Sequence, residues 1–281
     1  ELPEAKTIEL LNFVDEESQN REDLIFYYYQ GHIYLKYNRV RSQLEIDEIE
    51  QAGNDGGFDP IENIIDIDYE LIENKNYHIA ISRESGNLVI YVNGEGVYAI
   101  RNSHIFQTGE KSLYIGGGFR PSVGLNGRMQ DLMVVTDQDI YGDNLGGSFV
   151  VSELDMNLAN CQNIYSGCSN LHIQSSTSVD QFHIEDLSLS QHIVQVYGGV
   201  SHSLEASPMS GGSSLKFGGQ EDFIFIENSQ DWDLGSENFT FEFWVNKTSH
   251  NNALDLDVLF SIEKYQERNQ GEYLIEVATN E

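Results

Sequence analysis

Basic residues are scarce in this chain. Of its 281 residues only 15 are Lys or Arg, against 46 Asp or Glu, and the formal net charge at pH 7 is -31. A surface so negative repels phosphate backbones, which excludes nucleic acid as a partner. Long apolar runs are also missing: no stretch of about eighteen apolar residues occurs, so no membrane insertion is expected. Cysteine is limited to Cys161 and Cys168, too few for a disulfide framework and, with only His172 nearby, too few for a zinc site. A local disulfide and two free thiols both stay open for this pair. No helical stripe recurs along the chain. The opening Glu1-Leu2-Pro3-Glu4 has neither an initiator Met nor the order of a signal peptide, as expected where processing or truncation has removed the beginning.

What is present argues for a folded, all-β protein. Fifteen Tyr and 14 Phe supply the apolar area that acidic disordered chains lack, so the acidity belongs to the surface. Such acidity suits a saline or calcium-rich medium, where counterions screen self-repulsion. The length fits two domains of ordinary size, or one large sandwich. Period-two alternation dominates, in short runs rich in β-branched and aromatic residues and bounded by Gly, Asn and Asp. Residues 87–100 read as a hairpin turning at Asn93-Gly94, a pair that tolerates positive φ. In residues 238–246, Phe239, Phe241, Phe243 and Val245 share one apolar face, with Thr240, Glu242 and Trp244 on the other. Further strands are expected at 8–14, 24–29, 32–37, 44–49, 77–83, 112–115, 128–135, 192–197 and 222–227. So many short strands indicate a sandwich or jelly roll.

Two regions follow, 1–142 and 169–281, divided by a linker over 143–168 that holds the cysteine pair. Leu10-Leu-Asn-Phe-Val-Asp15 resembles Leu259-Phe-Ser-Ile-Glu-Lys264, and Asp23-Leu-Ile-Phe26 resembles Tyr273-Leu-Ile-Glu276, at an offset of about 250 residues.

Ser213-Ser-Leu-Lys-Phe-Gly-Gly-Gln-Glu-Asp222, followed by Phe239-Thr-Phe-Glu-Phe-Trp-Val245, resembles the first half of a laminin-G-like, concanavalin-A-like jelly roll. Residues 185–194 and 198–203 are similar to the opening segment of the same family. Its second half is matched by Tyr77-His-Ile-Ala-Ile-Ser-Arg83, Leu88-Val-Ile-Tyr-Val-Asn-Gly94, Leu113-Tyr-Ile-Gly-Gly117 and Leu125-Asn-Gly-Arg-Met-Gln-Asp-Leu132. Region 1–142 thus lacks an opening half and region 169–281 a closing one. The expectation is two such sandwiches in tandem, each incomplete; a single sandwich completed by both regions is the alternative. Unmatched halves would expose strand edges that a neighbouring chain or segment should complete. The resemblance implies a non-enzymatic module, extracellular or displayed on a cell or virion surface, whose partners are a glycan or cell-surface receptor and neighbouring protein subunits.

Two chemistries compete with plain binding. Glu45-Ile-Asp-Glu-Ile-Glu50 resembles the strand that carries the acids of retaining β-glucanases built on the same sandwich. There, Glu45 and Glu50 would act as nucleophile and general acid with Asp47 tuning them, provided a bulge puts all three on one face. Glu48 departs from that pattern, and a solvated strand face is the plainer account. Calcium is the likelier ligand chemistry, since it takes several oxygens from flexible loops. Asn54, Asp55 and Asp59 sit among glycines in residues 52–59, and Asp222 and Asp186 match acidic positions of the resembled family. The tyrosines around 26–37 could stack on sugars, though alternating tyrosines more often cover a sheet. Gly116-Gly-Gly118 reads as a turn, because it opens no helix and lacks a phosphate-binding Lys.

Overall fold

A computed structural model of the chain describes residues 22–39, 41–51, 61–106, 108–109, 111–118, 123–137, 140–141, 147–148, 169–176, 183–205, 212–219, 221–248 and 256–263. The strands are β1 (Glu22–Tyr29), β2 (His32–Arg39), β3 (Ile61–Asp66), β4 (Asn76–Glu84), β5 (Asn87–Val92), β6 (Glu95–Arg101), β7 (Ser112–Ile115) and β8 (Asn126–Thr136). They continue as β9 (Leu171–Ile173), β10 (Val194–Tyr197), β11 (Ser201–Ser203), β12 (Ser214–Gly218), β13 (Phe223–Ile226), β14 (Phe239–Lys247) and β15 (Leu256–Glu263). One helix, α1 (Gln43–Gln51), and a 3-10 turn, Gln230–Trp232, complete the described elements.

The strands form two antiparallel sheets. A seven-stranded sheet runs β10-β13-β7-β15-β1-β2-β3, and an eight-stranded one runs β11-β12-β8-β14-β4-β5-β6, with β9 added beside β8. The two regions divided by the linker therefore alternate within both sheets. This is the arrangement of the single sandwich: β14 takes β4 on one side and β8 on the other, so residues from both ends of the chain build one core.

That core follows from the alternation. Phe239, Phe241, Phe243 and Val245 point between the sheets, each no more than 2% exposed. Phe241 stacks on Phe260 at 4.6 Å between ring centres, and Phe26 meets Phe260 at 5.8 Å. Burying each such ring contributes on the order of 2–3 kcal/mol. The opposite face of β14 is covered too, since Thr240 and Glu242 are each only 1% exposed. The hairpin expected at Asn93-Gly94 forms between β5 and β6, with φ of 52° and 79° at the two turn residues. Gly116 follows β7 with φ of 74°, and a Cβ there would come within 2.2 Å of the Phe217 ring, so the turn of one region closes over an aromatic of the other.

Arg83 ties the regions together. It is 1% exposed, lies 4.7 Å from the centre of the Phe106 ring and 5.1 Å from that of Phe239, and donates to the carbonyls of Glu237, His104, Leu234 and Gly235. Burial lowers its pKa to about 10, which leaves it charged at neutral pH.

One expected strand is a helix. Residues 44–49 fall inside α1, because Ser42 and Glu45 form a capping box: Glu45 N–H donates to Ser42 Oγ at 3.4 Å, and Glu45 Oε2 accepts from Ser42 N–H at 2.8 Å. Apart from Ile46 and Ile49 the segment has no β-branched residue, and its Leu, Glu and Gln favour a helix. The strand expected at 8–14 lies outside the described residues. Strands β3, β9, β11, β12 and β15 are additions to the expected set; β9 and β11 are three residues long, too short for alternation to register.

Candidate binding groove

Residues 183–193 run up to the edge strand β10 and are held there by one carboxylate. Asp186 Oδ1 accepts the backbone N–H of His172 and of Ser188, both at 2.9 Å. Its Oδ2 accepts Ser188 Oγ at 2.9 Å and the backbone N–H of His192 at 2.8 Å. A side chain satisfying so many local donors fixes the path of the loop. Alternate residues 183, 185, 187 and 189 then face outward while 184, 186 and 188 are buried.

The groove so formed measures about 450 Å³ and is lined by His183, Ile184, Glu185, Gln191, His192 and Ile193 with Val194 and Val196 of β10. His192 is held in it from two sides. Its Nε2 lies 2.8 Å from Asp231 Oδ2, and its ring packs 4.7 Å from that of Trp232, which is fully buried and donates from Nε1 to the Lys111 carbonyl. Asp231 also accepts Ser190 Oγ at 2.5 Å. On the other wall, His183 Nε2 and Glu185 Oε1 are 2.5 Å apart and both side chains are well exposed. His202 sets this wall: its Nδ1 accepts the Ser176 N–H at 3.1 Å, which leaves Nε2 to donate to the His183 carbonyl at 2.8 Å. Leu189 and Ile193 stand out at 69% and 75% exposure. The groove thus offers carboxylate acceptors, imidazole and amide groups, and an apolar flank, a mix suited to a hydroxyl-rich ligand with a hydrophobic face.

A second polar cluster lies on the outer face of the eight-stranded sheet. Glu242 joins His78, at 3.0 Å, to the Tyr141 hydroxyl, and Glu84 accepts the Tyr141 N–H at 2.9 Å and Ser82 Oγ at 3.1 Å. Burial beside Glu242 holds the Tyr141 hydroxyl well above its usual pKa. Asp131 sits at the bulge in β8, with φ of 50°. Burial pushes its carboxyl up to about 6; the Gln174 side chain opposes that rise and Glu242 adds to it. All of these carboxylates are 5% exposed or less. Paired acids are present here, but they are closed to a ligand.

The residues singled out in the sequence fall differently. Glu45 is held in a bidentate pair with Arg39, at 2.7 and 2.8 Å, and this pair with the cap at Ser42 keeps its carboxyl well below the usual range. Asp47 accepts from Gln43 at 2.7 Å on the same helix. The strand alternation that would align Glu45, Asp47 and Glu50 is absent, which removes the geometric basis of the glucanase alternative. Asn54, Asp55 and Asp59 lie outside the described residues, as do both cysteines. Asp222 accepts the N–H groups of Gly199 and Gly218, each at 2.6 Å, and so joins two turns. Asp186 and Asp222 are not brought together with other acids: among the described residues no group of three or more His, Cys, Asp or Glu is placed to hold a metal. Phe26, Tyr28 and Tyr37 are in the core, and Tyr27, Tyr29 and Tyr34 cover the outer face of the first sheet at 7% exposure or less, so they are sheet covering rather than sugar platforms.

Residues 13–138 match the family described as the concanavalin A-like lectin/glucanases superfamily, under the name Laminin_G_3. This stretch, less than half of the chain, is similar to that laminin-G-like family. The match agrees with the sandwich and covers β1 to β8, whereas the groove is built from residues of the other region. Among curated proteins and among solved structures, no match to the chain was found.

Proposed function

We propose that this protein is a non-enzymatic, extracellular or surface-displayed module that binds a glycan, free or carried on a receptor, through the groove beside β10. The open polar groove carries this reading: His192, buttressed by Asp231 and Trp232, faces a cavity flanked by exposed Ile193. Its carboxylates and the acidity of the whole chain disfavour anionic ligands, which leaves neutral polyhydroxyl compounds as the matching chemistry. The match of residues 13–138 to that superfamily supports a carbohydrate- or ligand-binding role. No catalytic step is assigned, because the carboxylates that neighbour one another on the outer sheet face are sealed from solvent. Calcium remains part of the proposal as a contributor to loop order rather than to chemistry.

The test is a screen of neutral oligosaccharides with the full chain, with and without EDTA, beside His192→Ala. A glycan bound by the native chain and at least about tenfold more weakly by the variant is expected, given one oriented polar contact removed. Equal binding by both would remove the groove from the proposal, and loss of binding in EDTA would establish the calcium arm. No signal with any glycan, together with assembly into ordered particles, would favour a purely structural role.

A further inference from the structure

The inner face of the seven-stranded sheet is closed at β13 and β7, where Ile224, Ile226, Leu113 and Ile115 are each no more than 1% exposed. Among the described residues β10 ends that sheet, and its Val194 and Val196 stand opposite Ile226 and Ile224. Residues directly opposite share a face, so both valines belong to the core layer. They pack against the core, yet each stays partly exposed and lines the groove. The core is thus left open to a small apolar group over two valines about 7 Å apart along the strand.

The polar side of the groove is short of donors. Asp231 and Glu185 can only accept, so the Nε2 atoms of His192 and His183 carry the protons shared with them. Each neutral ring then keeps Nδ1 as an acceptor. The Asp186 carboxylate is spent on donors of the protein itself. Among the lining side chains that leaves Gln191 with N–H groups to give, on a backbone turned to a φ of 47°, a conformation that side-chain-bearing residues seldom adopt. A ligand must therefore bring donors, as hydroxyls do, whereas an acetamido carbonyl asks for one. A flat platform is missing as well: no Phe, Tyr or Trp lines the groove, and Trp232 is fully buried against His192. The broad face of a sugar ring has nothing to stack on, while a methyl branch fits against valine methyls. We infer that the groove selects a 6-deoxyhexose, its methyl group over Val194 and Val196 and its ring hydroxyls donating to Glu185 and His192. The inference rests on the glycan reading and narrows it to one class of sugar. A hydroxymethyl group in the same place would bury its hydroxyl without a partner, weakening binding about tenfold or more.

The test sets each 6-deoxyhexose beside its hydroxymethyl parent, L-fucose with L-galactose and L-rhamnose with L-mannose, and adds N-acetylglucosamine as the acetamido sugar. All are titrated into the full chain, into His192→Ala and into Val196→Thr. At least one deoxy sugar is expected to bind about tenfold more tightly than its parent, with its methyl protons taking the strongest saturation transfer from the protein. Val196→Thr keeps the shape of the floor and adds a hydroxyl, so it should bring the ratio of deoxy to parent affinity down toward one. That ratio does not depend on how much of the variant is folded. Equal affinity within both pairs, tighter binding of the acetamido sugar, or a ratio unchanged in Val196→Thr would each overturn the inference. In those cases sugars that still bind, and bind more weakly to His192→Ala, leave the glycan reading standing. Binding of none of the five sugars overturns the inference too, and the wider oligosaccharide screen then decides the glycan reading by itself.

Discussion

The groove beside β10 and the cluster on the eight-stranded sheet contain the same chemical groups, histidine against carboxylate, in opposite settings. In the groove His192 and Asp231 are partly exposed, and His192 borders a cavity. On the sheet His78 and Glu242 are each 1% exposed at the side chain and sealed with Tyr141. The difference lies in what the surrounding chain does. A carboxylate staple at Asp186 holds the groove loop out along a sheet edge, whereas Ile140 and Tyr141 lie over the middle of the sheet, packed with Ala80, Val89, Tyr91, Met133 and Val135. Proximity of acids is thus a poor guide to function here; access decides which pair can meet a ligand.

That contrast can be broken from the buried side. Glu242→Ala strips His78 and Tyr141 of their shared partner, and about 3 kcal/mol or more of stability should be lost in urea unfolding, with glycan affinity of the remaining folded protein unchanged. A variant that stays as stable as the native chain would show the cluster to be open rather than sealed.

Acidity gives a finer probe. Asp131 has a folded-state pKa of about 6 against an ordinary 3.8, so the folded form holds its proton more tightly than the unfolded one. Its contribution is complete below pH 3.8 and is lost as the pH rises through 6, a change of about 3 kcal/mol at most. Asp131→Asn removes that titration and keeps a residue type that tolerates positive φ. Relative to the native chain the variant should gain stability by up to that order at pH 8 and nothing at pH 3; a difference that does not change with pH would contradict the burial argument. The smallest effect is expected at Glu45→Gln, which weakens the cap of α1 and the contact with Arg39 and should leave glycan binding as it was, measured by the same screen.

Most of the strands are legible in the sequence because their alternation is long and one face is apolar, as in β4, β8 and β14. The helix at 43–51 passes for a strand because Leu44 and Ile46 mimic alternation, although the spacing Ser42-x-x-Glu45 and the step from Ile46 to Ile49 already spell a capped helix. How the two regions combine is beyond the reach of local pattern, which says which strands exist and not which of them become neighbours. Asp186, a calcium candidate by resemblance, lies at the groove as the residue that shapes the loop; the signature of that role, an Asp two residues before a Ser in a polar turn, is present in the sequence. His192 reads from the sequence only as the start of a strand. Nothing nearby in sequence points to Asp231 or Trp232, which reach it from another turn.

Arg83 has a consequence for how the molecule responds to its medium. Its partners are carbonyl oxygens, which do not titrate, and its own proton stays on far above neutrality. The clasp between the early and late strands is therefore indifferent to acid, and a drop in pH that reprotonates Asp131 changes the outer layer without loosening the joint beneath it.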